Sequence, residues 1–362
     1  MANSVTMKTV AAYAGVTQAT VSMCLANNPH IPTSTRTRIQ AIADQLGYRP
    51  NPYVSALMSL RRRGKNDDRK PVLALVHGLE SKDAWRESAA SNERQMLDGA
   101  LEQIERRGYK ADEFWLHQDG MSAERFSSIL HNRGIQGVVL GPLTETDSPP
   151  NLLWEKFSTV RLGSPLPSLG ITSVCNDHFS SSLQVARECY QRGYRRPGLV
   201  VLRSHQERFN ARWTGGLIGA RDMLPNLRPV KTLLVDHYDD LSPIATWLSR
   251  EKPDVIISPS AQSVRPILER LGMNSPLDIG LASLACSGLD DTCSGIWQNG
   301  RLIGATAVDN MINMLEQNER GLPPQPRIVM VVGVWNEGQT LRPAAAAPQP
   351  VSSSSVAQEI HF

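Results

Sequence analysis

Thr6-Met7-Lys8-Thr9-Val10-Ala11-Ala12-Tyr13-Ala14-Gly15-Val16-Thr17-Gln18-Ala19-Thr20-Val21-Ser22-Met23-Cys24-Leu25 has the pattern of two short helices broken by a glycine turn. Val10 and Ala14 fall on one face of a helix over Met7 to Ala14, and Gly15-Val16 ends it. Thr17 stands where a hydroxyl caps a second helix, Gln18 to Leu25, whose inward residues are Val21 and Leu25 at i, i+4. Downstream, Ile39, Ile42, Ala43 and Leu46 follow the i, i+3, i+4, i+7 rule, predicting a third helix from about Ser34 to Leu46 that Gly47 stops. Two short helices joined by a tight turn and closed by a third describe a helix-turn-helix unit. The second helix carries no charge at its start, so Gln18, Ala19 and Thr20 suit entry into a major groove and contact with base edges.

Charge supports the same reading. Residues 1–70 hold ten basic side chains against three acids, a local charge of +7, while the rest of the chain carries −4. A basic head on a mildly acidic body is what attraction of one end to a phosphate backbone requires. At 362 residues the chain exceeds a single small core, so two or three domains are expected. A hydrophobic share of 41% with 20% charged residues fits a folded globular protein. The five cysteines, Cys24, Cys175, Cys189, Cys286 and Cys293, form no C-x-x-C pair, which argues against a disulfide framework or zinc site and for a reducing cytoplasm. No apolar run approaches the ~18–20 residues of a membrane span, so no membrane partner is expected.

Over about fifty residues the head resembles the lactose/purine repressor (LacI/GalR) family. The resemblance lies in Thr6-Met7-Lys8-Thr9-Val10-Ala11, Ala14-Gly15-Val16-Thr17, Thr20-Val21-Ser22 and Leu46-Gly47-Tyr48-Arg49-Pro50-Asn51. It implies a DNA-binding domain over 1–50 that reads the major groove through Thr17, Gln18, Ala19, Thr20 and Met23. Met23 departs from the polar or basic residue that many members carry there, so the operator sequence does not transfer. Asn51-Pro52 then reads as a helix start, Asn as cap and Pro at the first position. By resemblance, residues 51–70 are a hinge helix and charged linker. Asn51, Val54 and Leu57 would lie in the minor groove, with Leu57 wedging a base step as apolar side chains do; the alternative for Leu57 is a linker residue. The Arg61 to Lys70 connector is several residues longer than the family pattern.

The remainder alternates apolar runs with helical spacing. Strands are expected at Val72–Val76, Gly137–Leu140, Thr159–Leu162, Pro197–Leu202, Thr232–Val235 and Asp254–Ile257, with helices at Met96–Arg107, Ser181–Arg192 and Val264–Leu271. This alternation predicts parallel sheets with crossover helices, in two similar series. The core is also similar to the family's, through Cys175-Asn176-Asp177, Gly193-Tyr194-Arg195-Arg196, Arg212-Trp213-Thr214-Gly215, Asp278-Ile279-Gly280-Leu281 and Gly295-Ile296-Trp297-Gln298. The resemblance implies an α/β periplasmic-binding-protein-like core over 71–342. It would consist of two interleaved Rossmann-like subdomains, roughly 71–170 and 171–300, with later crossovers and a small-molecule effector between them. The all-α helix-turn-helix head precedes it, and 343–362, rich in Ala, Pro, Gln and Ser, reads as a flexible tail.

For the effector, Arg212 matches a family contact, and a forked guanidinium suits hydroxyls or carboxylates; the alternative is an ion-paired arginine. Asp177, Gln298, Ser260 and Trp297 match cleft positions, although Asp177 equally suits the cap of a helix starting near Ser180. Ala285 and Pro259-Ser260 replace the aspartate and Asn-Asp of sugar-binding members, so much of the hydroxyl-reading apparatus is missing. No G-x-x-x-x-G-K-[ST], H-E-x-x-H or G-x-S-x-G occurs, no cofactor or metal is implied, and Gly215-Gly216-Leu217-Ile218-Gly219 reads as a helix-packing surface. The expected protein is a cytoplasmic homodimeric regulator, usually a repressor. It would bind pseudo-palindromic double-stranded operator DNA under control of a small, sugar-related effector. The alternative is a cytoplasmic solute-binding module that no longer reads DNA.

Overall fold

The computed structural model describes residues 7–25, 31–48, 70–88, 91–117, 122–144, 152–166, 169–317 and 319–344. The head is three helices, α1 (Met7–Ala14), α2 (Gln18–Leu25) and α3 (Thr33–Gln45). Val10, Ala11, Ala14, Val21, Cys24, Ile39 and Ala43 form a small core of their own. Gly15 takes the left-handed φ of +66° that the α1–α2 turn requires. The Thr17 hydroxyl accepts from the Thr20 N–H at 3.1 Å, capping α2. Within α2 the second buried residue is Cys24 rather than the expected Leu25, which is only half-buried. The inward face thus runs at i, i+3 from Val21.

Beyond the head the chain builds two sheets. The first contains β1 (Val72–Gly78), β2 (Lys110–Trp115), β3 (Gly137–Leu143), β4 (Ser158–Leu162), β5 (Ser173–Asn176) and β11 (Ile328–Val331) in the order β11-β5-β4-β3-β1-β2. The second contains β6 (Pro197–Leu202), β7 (Leu233–Val235), β8 (Val255–Ser258), β9 (Gly280–Cys286), β10 (Ser294–Trp297) and β12 (Val334–Asn336) in the order β12-β10-β9-β8-β6-β7. Its pairs are parallel except β10 with β12. Each sheet therefore repeats one doubly wound 2-1-3-4-5 order and adds a late strand at one edge. The helices are α4 (Ala84–Glu87), α5 (Ser91–Arg106), α6 (Ala123–Asn132), α7 (His178–Gln191), α8 (Arg203–Arg208), α9 (Arg212–Met223), α10 (Leu241–Glu251), α11 (Ala261–Arg270) and α12 (Gly300–Glu316).

The chain divides into two compact units. The first comprises 1–87, 97–173 and 304–328; the second comprises 88–96, 174–303 and 329–362. In the first, Ala74, Val76, Val138 and Leu140 pack with Phe126 and Leu130. Gly137 keeps the backbone bare under α12, where a Cβ would come within 2.3 Å of the Met311 sulfur. In the second, Leu199, Val201, Val255 and Ile257 pack with Val185, Trp213 and Leu217 on one face. Val200, Ile256 and Leu281 pack with Trp247, Val264 and Leu268 on the other. Among the described residues no helix is long and apolar enough to cross a membrane.

Candidate nucleic-acid interface and effector site

On the head, Thr17, Gln18 and Ala19 are exposed, and Thr20 and Met23 are half-buried. The start of α2 thus offers its side chains outward while Val21 and Cys24 anchor it. Thr17 and Thr20 share a hydroxyl pair at 2.9 Å, so both are partly committed to the cap and Gln18 is the longest uncommitted polar chain at this end. Lys8 is exposed on α1. On α3, Arg38 reaches back to the Ala14 carbonyl at 3.4 Å, tying α3 to the end of α1. Asn51, Val54 and Leu57 lie outside the described residues.

In the second unit the candidate effector residues fall near the carboxyl ends of its strands, the side where open α/β sheets bind ligands. Arg212 opens α9. The two residues before it, Asn210 and Ala211, hold left-handed φ values of +49° and +53°. For an alanine this costs on the order of 1 kcal/mol. Arg212 makes a 3.6 Å contact from Nη1 to the Met330 sulfur and lies against Cys175, whose thiol burial pushes upward in pKa and Arg212 pulls down. No carboxylate lies within ion-pair distance of Arg212 among the described residues. It is therefore not the ion-paired arginine of the alternative reading.

Asp177, by contrast, spends both oxygens on its own helix. Oδ1 accepts from the Ser180 N–H at 3.0 Å and Oδ2 from the Ser180 hydroxyl at 2.7 Å, capping α7. Gln298 is buried and satisfied, donating to the Leu284 carbonyl at 2.9 Å and accepting from Asn92 at 2.8 Å. The Trp297 indole donates to Gln95 at 2.9 Å. Ser260 precedes α11, its hydroxyl 2.8 Å from that of Ser263. Ala285, at the end of β9, adds no side-chain polar group; its N–H bonds to the Ser283 hydroxyl. Arg212 and Asp177 therefore belong to one neighbourhood, and Trp297 and Gln298 to another built with Asn92 and Gln95.

A group absent from the sequence expectations surrounds Arg212. His178, Phe209 and Trp213 stack with ring centroids 4.5 to 4.8 Å apart, and His205 lies 5.4 Å from Phe209. Burial, and next Arg212, drive the His178 pKa down to about 3, so the ring is neutral. The spacing of His205, Phe209 and Trp213 at i, i+4, i+8 was available in the sequence. It does not reflect one helix, because the chain breaks at Asn210-Ala211 between α8 and α9.

Comparison with known proteins places these features. The family model for bacterial regulatory proteins of the lacI family matches residues 6–51. The maltose regulon regulatory protein MalI of Escherichia coli K12 is 29% identical over 200 residues, covering 54% of this chain and 53% of that protein. The chain thus spans about half the length of that curated relative. The MalI protein of Vibrio furnissii is 31% identical over 136 residues, 38% of this chain and 85% of the relative. Among solved structures, the lac repressor dimer bound to operator and the anti-inducer ONPF aligns with a TM-score of 0.52 at 16% identity. That alignment covers 94% of this chain and 100% of the other, and it shows a shared fold. A head matched by the family model and a relative covered over most of its length make the assignment: the chain belongs to the lacI family of bacterial regulatory proteins.

Proposed function

We propose that this protein is an operator-binding transcriptional repressor, acting as a cytoplasmic homodimer whose DNA affinity is set by a small molecule held by the core. The observation that carries this is the head: a capped α2 offering Thr17, Gln18 and Ala19 outward from a separate three-helix core. Thr17, Gln18, Ala19, Thr20 and Met23 meet the major groove, with Gln18 the principal base reader. Asn51, Val54 and Leu57 serve the minor groove. In the core, Arg212 contacts the effector, and Asp177 supports it by capping α7. Gln298 and Trp297 position their neighbours, and Ser260 lines the rim. The domain division follows, with 1–50 reading DNA, 51–70 coupling, 71–342 sensing and dimerising, and 343–362 as a tail. The family membership and a fold shared with a repressor solved on operator DNA support this reading.

The test is titration of the full chain against the promoter fragments beside its own gene, with wild type and Leu57→Ala in parallel. A two-fold-related footprint for wild type, and weaker binding with less DNA bending for Leu57→Ala, are expected. Leu57→Ala binding and bending like wild type removes the hinge assignment. Wild type shifting no native fragment leaves the solute-binding module as the better reading.

A further inference from the structure

We infer that the core takes an oxyanion-bearing small molecule, a carboxylate or a phosphate, received in the second unit by Arg212 and Arg208 with His178 and Trp213 alongside. The inference rests on the regulator reading above and names the chemistry of its effector. Four observations, all within that unit, converge on it.

The first is charge without a counter-charge. Arg208 and Arg212 are both half-buried, and among the described residues neither makes an ion pair. The other half-buried or buried arginines of this unit have oxygen or aromatic partners: Arg192 binds Glu188 at 2.5 Å and Glu337 at 2.6 Å, Arg94 donates to the Ser88 carbonyl, and Arg265 reaches the Thr292 hydroxyl at 3.5 Å. Arg195 covers the Tyr190 ring and donates to the Tyr190 and Tyr194 carbonyls. Arg212 instead faces the sulfurs of Met330 and Cys175, poor acceptors for a guanidinium. Arg208 lies beside the Phe209 ring at 5.8 Å. Leaving two guanidinium groups so partnered in a partly desolvated place is costly unless something anionic completes them.

The second is unspent hydrogen-bonding capacity. His178 is 6% exposed and its Nδ1 has no partner among the described residues; Trp213 is 3% exposed and its Nε1 likewise has none. Buried polar groups of this kind are normally satisfied: the Trp213 N–H asks for an acceptor, and so does His178 Nδ1 in the tautomer that protonates it. The third is the nearby carboxylate, Asp177. It could have neutralised Arg212, yet its oxygens are turned to Ser180, which leaves the site net positive. The fourth is the backbone: consecutive left-handed Asn210 and Ala211 join α8 to α9, and the arginines flanking that junction, Arg208 and Arg212, both act electrostatically on His178. Strain held at such a junction marks a geometry kept for use.

Loss of hydroxyl readers fits the same ligand. Ala285 and Pro259-Ser260 leave the ends of β8 and β9 without carboxylate or amide side chains. Selectivity then shifts from several hydroxyl contacts to one charged group, which charge-assisted and bidentate bonds to arginine recognise strongly.

The experiment uses the full chain with inorganic phosphate as probe, by thermal melting in phosphate or chloride at equal ionic strength. Wild type, Arg212→Met and His178→Phe are compared, so that general salt effects and phosphate at the head cancel between variants. Phosphate should raise the wild-type midpoint by several degrees more than that of Arg212→Met. In chloride, Arg212→Met should melt at or above wild type, because it removes an uncompensated charge. His178→Phe should weaken the phosphate effect and leave melting in chloride at pH 7.5 near wild type. Calorimetry with glucose, gluconate and glucose 6-phosphate then separates the sources. Binding of gluconate assigns a carboxylate and binding of glucose 6-phosphate a phosphate, each weakened about tenfold or more in Arg212→Met. Equal phosphate effects in wild type and Arg212→Met overturn the inference, as does binding of glucose alone. So does a large loss of stability in Arg212→Met in chloride. Operator titration of the same variants keeps the two readings apart. Intact DNA binding with no anion effect sinks only the effector class, whereas wild type without operator binding sinks the regulator reading whatever the melts show.

Discussion

His178 shows how much a single buried ring can impose. Its pKa, lowered from 6.5 to about 3 by burial first and by Arg212 next, means that the unfolded chain binds a proton more readily than the folded one between those values. The stability it preserves is therefore complete above about pH 6.5 and falls as pH drops toward 3, by at most about 1.4 kcal/mol per pH unit. Denaturant unfolding at pH 7 and pH 5 should show wild type losing about 2 kcal/mol more than His178→Phe, and parallel losses would show that the ring is solvated. On the head, Gln18→Ala should cost about 1–3 kcal/mol on the cognate operator and relax preference at one or two base pairs, leaving random DNA unaffected. Competition binding checks it, and equal losses on both DNAs would mean that Gln18 only positions the head. Single residues were unevenly legible. Thr17 and Asp177 declared their caps because a hydroxyl or carboxylate before a helix has few other uses. The His178 cluster stayed hidden because residue 178 meets residues 205 to 213 only through the fold.

At the level of elements, α7 and α9 pack through glycine. A Cβ on Gly216 would sit 2.5 Å from the Phe179 carbonyl oxygen and 2.9 Å from the Ser182 Cβ, whereas one on Gly215 would touch only the Phe179 ring, at 3.7 Å. Gly216→Ala should therefore lower stability by about 1–3 kcal/mol through overpacking. Gly215→Ala should be neutral or stabilising by up to about 1 kcal/mol, because alanine favours the helix. Thermal melts of the two variants decide it, and equal effects would refute the close approach as cause. The glycine run read as a packing surface from sequence alone, and its chemistry sufficed for that. Buried strands such as β3 and β6 were equally plain, since both faces are covered and the run is continuously apolar. Of the strands not read from apolar runs, β2, β11 and β12 lie at sheet edges, where one side lacks a neighbour and, on β2, Lys110 and Glu113 are exposed; β5, β9 and β10 lie inside the sheets and were marked only by segments resembling the family.

Across the whole molecule, the +7 charge of residues 1–70 beside the −4 of the rest dictates how operator affinity responds to salt. If two heads together meet ~6–10 phosphates, affinity should fall about a thousandfold or more between roughly 50 and 200 mM salt. A filter-binding series in sodium chloride measures the slope, and a flat response would leave the basic head without a role. The head and the two α/β series were legible because periodicity and charge are local signals. The way the series interlace came only from the family resemblance, because it depends on where the residues after 300 go and no local pattern reveals that.

That interlacing governs how the protein is made. Helix α12 from Gly304 onward belongs to the first unit and covers Gly137 there, yet it follows the whole of β6 to β10 in the chain. A ribosome adding ~5–20 residues per second needs roughly eight to thirty seconds to travel from β4 to the end of α12. During that interval the head can already be folded on its own core, while the first sheet waits with Leu73 and Gly137 uncovered. A nascent chain of this design completes its three-helix head before its first sheet is covered, and that half-built sheet is the stretch most in need of a chaperone.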